Sequence, residues 1–203
     1  LRNDLVTFFA TYTAAVEEAI ALLYQAGDAD RIAGLCDACR DGVIDDQALY
    51  LHTSLVANLD PVLRIYIGCA EVLCGDVRSA DILKLHKRSG KLTLLCYDDF
   101  EGRRLPSLER RVKVLLKGQR LQEFDYSAGA ETQVLYGKEQ YVGQDHPKRE
   151  TWASWSRKLE RLIGPIIERG PSRETLQRQL AELGYDLQLR PLSKSEDDPK
   201  ETC

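Results

Sequence analysis

The stretch ILKLHKRSGKLTLLCY, residues 82–97, decides the fold. Apolar and polar residues alternate on both sides of Arg88-Ser89-Gly90. This pattern is typical of two half-buried strands joined by a hairpin turn. We therefore predict strands over residues 82–87 and 91–97, with Leu83 and Leu85 on one face and Lys84 and His86 on the other.

The alternating pattern continues on the C-terminal side of the hairpin. Residues 111–117 and 121–126 predict two further strands, turned by Gly118-Gln119, and residues 133–136 predict a short fifth strand. A last strand is predicted over residues 186–192. The centre of the chain is therefore predicted to be an antiparallel meander of four or five strands.

Helical patterns flank the meander on both sides. Residues 5–27 carry an apolar stripe at helical spacing, and a second helix is predicted over residues 28–40. The third predicted helix, residues 60–75, opens with Asp60 as N-cap and Pro61 at the first position, and it is apolar nearly all round. Its central residues, Leu63, Tyr66 and Ile67, should therefore be buried.

Two more helices are predicted near the C-terminus, over residues 151–168 and 172–184. The expected class is α+β, with N-terminal helices packed on a four- to five-stranded antiparallel sheet, followed by C-terminal helices. We expect one domain over residues 1–169, an appendage of a helix and a short strand over 170–192, and a disordered tail over 193–203.

Composition limits the classes of function. The 203 residues carry a net charge of −4, so a basic footprint over the whole surface is excluded, although Lys84, Lys87, Arg88 and Lys91 form a local basic cluster. No apolar run is long enough for a membrane span. Six cysteines without a secretory leader indicate free thiols and a bacterial cytoplasmic location.

The polar face of the meander is the first candidate site. Lys84 and His86 share it, and Lys113 and Asp125 on the later strands can join them. A lysine and a histidine two residues apart can bind a phosphate or carboxylate. The alternative is that this face is simply exposed to solvent, as in most antiparallel sheets.

A second candidate is Lys138-Glu139, directly after Tyr136-Gly137. With Asp98, Asp99 and Asp125 it could form a metal-dependent nuclease site. The spacing does not identify such a site, and a surface ion pair explains the two residues equally well.

The cysteines offer a third candidate. Cys36 and Cys39, with Cys69 and Cys74, could supply a four-thiolate zinc site, but both pairs fall on predicted helices and should act as small buried side chains. No glycine-rich loop follows a strand in the pattern of a nucleotide or S-adenosylmethionine binder. No metal or cofactor is therefore predicted, and the chain alone is not expected to be a methyltransferase.

Residues 5–162 resemble the part of the DNA phosphorothioation-associated methyltransferases that lies outside their methyltransferase domain. The resemblance rests on Lys84-x-His86 at a strand end, on the tyrosine- and acid-containing strand after it, on Tyr136-Gly137-Lys138-Glu139, and on Arg64 and Tyr66. It implies a bacterial DNA modification or defence system, with a methyltransferase domain that could belong to the same polypeptide.

The resulting expectation is a non-catalytic accessory or substrate-handling domain that binds DNA or a partner protein of that system. The alternatives are a small metal-dependent phosphodiesterase or nuclease and a protein-interaction scaffold. The expected anion- or DNA-binding residues are Lys84, His86, Lys87, Lys113 and Lys138. The expected supporting residues are Arg64, Tyr97, Asp125, Tyr136 and Glu139.

Overall fold

A computed structural model of the chain describes residues 2–126, 133–166 and 170–192. The helices are α1 (Arg2–Phe9), α2 (Tyr12–Gly27), α3 (Ala29–Asp37), α4 (Pro61–Cys74), α5 (Arg149–Ile163) and α6 (Arg173–Glu182). The strands are β1 (Val43–Ile44), β2 (Ala48–His52), β3 (Ile82–His86), β4 (Lys91–Tyr97), β5 (Leu108–Leu115) and β6 (Arg120–Asp125). None of the helices in these residues combines the length and apolar character that a membrane crossing requires.

The strands form one antiparallel sheet in the order β1-β2-β3-β4-β5-β6. The α+β class is confirmed, but the sheet has six strands where four or five were predicted. β1 and β2 were missed because β1 is only two residues long, and Ala48 and Leu49 of β2 are buried in succession. The predicted strand over residues 133–136 makes only a bridge between Val134 and Ser107.

One face of the sheet packs against α4 and forms the main core. Leucines and valines from β2 to β5 cover this face, and α4 lies on them. Leu63 and Ile67 are each 1% exposed and Tyr66 is 4% exposed, as predicted from the apolar surround of this helix. The Tyr66 hydroxyl donates a hydrogen bond to Lys91 O at 3.0 Å, so its polar atom is paired.

The N-terminal helix differs from its prediction. The predicted helix is interrupted at Ala10, which adopts a left-handed φ of 59°. This residue separates α1 from α2. α2 then packs on the core through Leu22 and Ala26. The bulky apolar stripe of α2 is exposed to solvent.

The C-terminal helices enclose a separate apolar cluster. Leu159 of α5 and Leu176 and Leu180 of α6 are fully buried in it. Ser172 caps α6 as predicted, whereas α5 ends at Ile163 because Gly164 adopts a φ of 85° and a proline follows. The predicted strand over residues 186–192 makes only a bridge between Tyr185 and Pro191. The predicted disordered tail lies outside the described residues.

Candidate functional site

The second face of the sheet carries a row of polar side chains. Tyr50 of β2 pairs with Lys84 of β3, Lys84 with Thr93 of β4, and Thr93 with Lys113 of β5. Directly paired residues in neighbouring strands point to the same face, so these four side chains stand side by side. Arg111 lies two residues before Lys113 on β5 and therefore faces the same side.

These side chains line a cleft with a volume of about 750 Å³. The segments around Asp45 and Gln47 and around residues 133–136 form its walls. Its charged lining side chains are Lys84, Arg111, Lys113 and Asp45, and His86 lies beside them. Asp45 is the only acid among the described lining residues, so the cleft is cationic within a chain that is acidic overall.

Asp45 and Lys84 are linked through Tyr50 at one end of the cleft. Lys84 Nζ donates to the Tyr50 hydroxyl at 2.5 Å, and this hydroxyl hydrogen-bonds the Asp45 carboxylate. Burial raises the pKa of Asp45, but hydrogen bonds from Gln47 N, Ala48 N and Tyr50 and the charge of Lys84 outweigh it, and the pKa is lowered overall. Asp45 is therefore ionised at neutral pH and offsets part of the Lys84 charge.

A glycine sets the position of the Tyr50 strand. Gly42 has a φ of 87°, and a Cβ at this position would lie 2.2 Å from Tyr50 O. Only glycine accepts both this conformation and this close approach. Gly42 therefore allows the segment that carries Asp45 to fold against β2.

Arg111 and Lys113 form the cationic centre of the cleft. The Arg111 guanidinium carbon lies 4.7 Å from the centroid of the Phe124 ring and 5.3 Å from that of Tyr126, and Lys113 Nζ lies 5.0 Å from the Phe124 centroid. Neither forms an ion pair with a carboxylate of the described residues. Arg111 Nε is buried and has no acceptor among them. A buried donor without an acceptor costs free energy that an anionic ligand would recover.

His86 lies beside these cations as a neutral side chain. Burial lowers its pKa to about 4, and the positive charges of Lys84, Lys91 and Lys113 lower it in the same direction. Its Nε2 atom lies 3.1 Å from Thr93 Oγ1. At neutral pH His86 can therefore exchange a hydrogen bond with a ligand but carries no charge.

The structure brings three of the five predicted binding residues together. Lys84, His86 and Lys113 lie in the cleft, and the supporting residues Tyr97 and Tyr136 line it. Arg64 is exposed on α4 and does not line the cleft. Asp125 pairs with Arg110 and alternates with Phe124, which places it on the other face of the sheet.

Lys87 was predicted to belong to the site, and the structure places it outside the cleft. β3 ends at His86, and the Lys87 side chain is on the opposite face, where it is nearly buried. Its Nζ atom lies 2.6 Å from Asp37 Oδ1 and donates to Asp45 O at 2.5 Å. Lys87 therefore joins α3 to the sheet and has no free charge for a ligand.

Lys138 was also predicted to be a binding residue, and it is 2% exposed. Its Nζ atom donates to Phe100 O and Arg103 O, both at 2.5 Å, and lies 3.9 Å from the centroid of the Trp152 ring. Burial lowers its pKa to about 8, although the Glu101 charge raises it. Lys138 thus holds the 100–103 turn against α5 and cannot contact a ligand in the cleft.

Glu139 is buried as well, which rules out the surface ion pair with Lys138. Its carboxylate accepts a hydrogen bond from Ser156 Oγ at 3.0 Å, and its backbone carbonyl accepts one from Arg149 Nε at 3.2 Å. Both partners lie on α5. The Lys138-Glu139 pair is therefore part of the packing between this segment and α5.

The acids of the nuclease alternative have local structural roles. Asp98 accepts a hydrogen bond from Ser107 N and pairs with Arg103 at 3.0 Å, and Asp99 accepts one from Gly102 N at 2.9 Å. Across the described ranges, no three His, Cys, Asp or Glu side chains are placed to hold a metal ion. The predicted residues therefore do not assemble a nuclease centre in this structure.

Three of the four cysteines lie on helices, as predicted, whereas Cys39 lies just beyond the end of α3. Cys36 is on α3, and Cys69 and Cys74 are on α4. Burial raises the pKa of the Cys36 thiol to about 11, with Cys39 adding to the effect, so Cys36 is protonated at neutral pH. A protonated thiol is a poor nucleophile.

Sequence reasoning missed several polar residues of the cleft, including Asp45, Tyr50, Thr93 and Arg111. The alternation of β5 could have found Arg111, because it places this residue on the face of Lys113. Asp45 and Tyr50 could not be found without recognising β1 and β2. Comparison of the chain with models of known protein families, with curated proteins and with solved structures found no match in any of the three.

Proposed function

We propose that this chain is a non-catalytic nucleic-acid-binding domain and that the cleft is its binding site. The observation that carries the proposal is the convergence of Lys84, Arg111 and Lys113 on one concave surface of an acidic protein. An acidic protein repels phosphate over most of its surface, so contact with a polyanion needs a local concentration of positive charge.

The shape of the cleft favours an unpaired nucleotide strand over the side of a duplex. The cations lie on the sheet, between two walls, whereas the phosphates of a duplex lie on its convex outer surface. An unpaired strand can enter such a cleft and place its phosphates against Arg111 and Lys113. The aromatic lining, including Tyr97 and Tyr136, offers apolar surface for bases.

The biological setting that we propose follows from the family resemblance. The domain would act in the bacterial cytoplasm as an accessory part of a DNA phosphorothioation or related modification–restriction system. There it would hold DNA, in concert with partner proteins of the system. The Lys84-x-His86 pattern supports this setting, because it belongs both to the resemblance and to the cleft.

Fluorescence anisotropy over a series of salt concentrations tests the binding function. The probes are one labelled oligonucleotide as a single strand, the same sequence as a duplex, and the single strand with phosphorothioate linkages. We expect the single strand to bind more tightly than the duplex, with an affinity that falls as salt rises. Lys113→Ala should reduce the log–log salt slope by about 0.7, the value for one phosphate contact on a single strand.

Lys117→Ala is the matched control, because Lys117 is an exposed lysine just beyond β5 and outside the cleft. It should leave the slope unchanged. Absence of salt-sensitive affinity for all three probes would refute the binding function. Equal affinity for plain and phosphorothioate strands would refute recognition of the modification by this domain but not binding itself.

A further inference from the structure

A cavity of about 490 Å³ lies between α2, α3, α4 and the β3–β4 hairpin. Its lining comes from the last turn of α2, the first turn of α3, the middle of α4, the hairpin residues 86–90, and residues 116–117 after β5. A volume of this size is typical of a site for a small molecule. The cavity is therefore a candidate binding site in addition to the cleft.

Most of the inner surface of the cavity is apolar. Ile32 and Tyr66 belong to the main core, and Leu116 packs against it. The Tyr66 hydroxyl already donates its hydrogen bond to Lys91 O, so the ring and not the donor is available to a ligand. Leu23 is exposed and lies on the side that opens to solvent. An apolar group placed in this space would be removed from water, which favours its binding.

The charged side chains that line the cavity are basic. They are Lys87, Arg88 and Lys117, and no acid is among the described lining residues. Two of the three are already paired with carboxylates of α3. Lys87 Nζ lies 2.6 Å from Asp37 Oδ1, and Arg88 pairs with Asp30. Lys117 is exposed and has no carboxylate partner in the part of the chain that the structure describes, so one positive charge is left for a ligand.

The hairpin holds Lys117 at the edge of the cavity. Leu116 N donates a hydrogen bond to Gly90 O at 3.0 Å, which joins residues 116–118 to the hairpin turn. Gly90 has a φ of 61°, and a Cβ at this position would lie 3.9 Å from Lys117 Cβ. The aliphatic part of Lys117 therefore borders the hairpin, while its ammonium group stays hydrated. An anionic group at the edge of the cavity can meet this charge without leaving water completely.

We infer that this cavity binds a small apolar carboxylate, with the apolar body inside the cavity and the carboxylate beside Lys117. A cation would be repelled, and a neutral molecule would leave Lys117 without a partner. One unpaired lysine matches a single negative charge, which favours a carboxylate over a doubly charged phosphate ester. The inference does not rest on nucleic-acid binding, because His86 is the one residue common to the described linings of the cavity and the cleft.

Two carboxylates of different shape, decanoate and naphthoate, serve as probes in calorimetric titration, and the neutral amide of each is its matched control. We expect the carboxylate whose shape fits the cavity to bind about threefold more tightly than its amide, the effect of one partly exposed charge pair. Lys117→Gln should remove this difference and leave the affinity for the amide unchanged. Arg120→Gln is the control variant, because Arg120 is exposed and does not line the cavity, and it should preserve the difference.

Cys69→Phe tests whether the ligand lies inside the cavity. Cys69 lines the cavity from α4 and is half-buried, so an aromatic ring at this position would fill part of the space. We expect the affinity for carboxylate and amide to fall about tenfold or more. Val72→Phe is the matched control, because Val72 is 86% exposed on the same helix and does not line the cavity. Thermal melts separate lost binding from lost folding, and Lys117→Gln, at an exposed position, carries the test if Cys69→Phe does not fold.

Three outcomes would overturn the inference. The first is that neither carboxylate binds more tightly than its amide. The second is unchanged binding to a folded Cys69→Phe variant, which would place the ligand on another apolar surface. The third is a stable dimer in sedimentation velocity that Cys69→Phe dissociates, which would make a side chain of a second copy the occupant. Oligonucleotide affinity of Lys117→Gln should match the wild type, so failure of this inference is distinguishable from failure of the proposed function.

Discussion

On one face of β3, Leu83 and Leu85 are fully buried against α4, and on the other face Lys84 and His86 are only partly covered and line the cleft. The same contrast holds on β5, where Val112 and Val114 face the core and Arg111 and Lys113 face the cleft. The face that packs against α4, which we call the closed face, belongs to the core, and the opposite face lines the cleft. A substitution on the closed face should act on stability, and one on the cleft face should act on ligand affinity.

A substitution in the core against the closed face should give the largest change in the free energy of unfolding. Leu63→Ala on α4 removes a side chain that is 1% exposed and leaves a cavity against the sheet. We expect the free energy of unfolding to fall by about 2–5 kcal/mol in urea denaturation. Oligonucleotide affinity, measured under conditions where the variant remains folded, should match the wild type. A selective loss of affinity would show that the two faces are coupled.

Lys138 is a basic residue, but substituting it should reduce stability, as a substitution on the closed face does. Lys138→Met keeps much of the volume but leaves Phe100 O and Arg103 O without their donor. We expect a loss of about 2–4 kcal/mol in the free energy of unfolding, from two unpaired buried carbonyls. The salt slope for oligonucleotide binding should not change.

Lys117→Met is the control for Lys138→Met, because Lys117 is exposed and should tolerate the change. A flattened salt slope in Lys138→Met with unchanged stability would mean that Lys138 contacts the ligand. That result would restore the original prediction for this residue and contradict its burial beneath Trp152.

The contrast between Lys84 and Lys138 shows what sequence periodicity can and cannot predict about the position of a side chain. Alternation in β3 and β5 predicted the directions of Lys84, His86 and Lys113, because period-two patterns are local and a strand has only two faces. Lys138 follows no strand, and its burial depends on α5 and on a turn some 35 residues earlier. No local pattern encodes such a contact. The acceptors of Lys138 are backbone carbonyls, which every residue has, so the sequence contains no acidic partner that would indicate its burial.

The helices illustrate the same limit. The apolar surround of α4 predicted its burial, since a helix without a polar side has no face for water. The stripe of α2 had the same composition as a core stripe, and periodicity alone cannot tell a face that meets the core from one that is exposed. The buried side of α2 is instead marked by smaller residues such as Ala26.

Asp45 is a cleft residue whose substitution should strengthen oligonucleotide binding, whereas loss of a cleft lysine should weaken it. It is the acid that offsets Lys84 through Tyr50. Asp45→Asn keeps an oxygen for the amides of Gln47 and Ala48 but removes the negative charge. We expect single-stranded oligonucleotide to bind about threefold more tightly at low salt, since one repulsive charge at a partly exposed site is removed.

Asp46→Asn is the control for the Asp45 substitution, because the neighbouring carboxylate is exposed and does not line the cleft. It should change affinity less than Asp45→Asn at every salt concentration. Equal gains from both variants would mean that the net charge of the protein, and not the local balance in the cleft, controls binding.

His86 should give the most local report on the cleft. Its pKa is about 4 in the folded chain and 6.5 in the unfolded chain. Between these values the unfolded chain binds more protons, so the free energy of unfolding should rise with pH from about 4 to 6.5 and lose this dependence above. His86→Gln should flatten that part of the stability curve. An unchanged curve would mean that His86 is not desolvated in the folded protein.

A bound phosphate chain should reverse part of this shift. The positive charges of Lys84, Lys91 and Lys113 help to keep His86 neutral, and only Asp45 opposes them. A polyanion in the cleft would neutralise those lysines and raise the pKa of His86. By linkage, affinity should then increase as pH falls toward the pKa of the complex. Titration of the His86 ring protons by NMR, with and without the single-stranded oligonucleotide, measures the shift directly. An oligonucleotide that binds with salt dependence but leaves this pKa unchanged would bind outside the cleft.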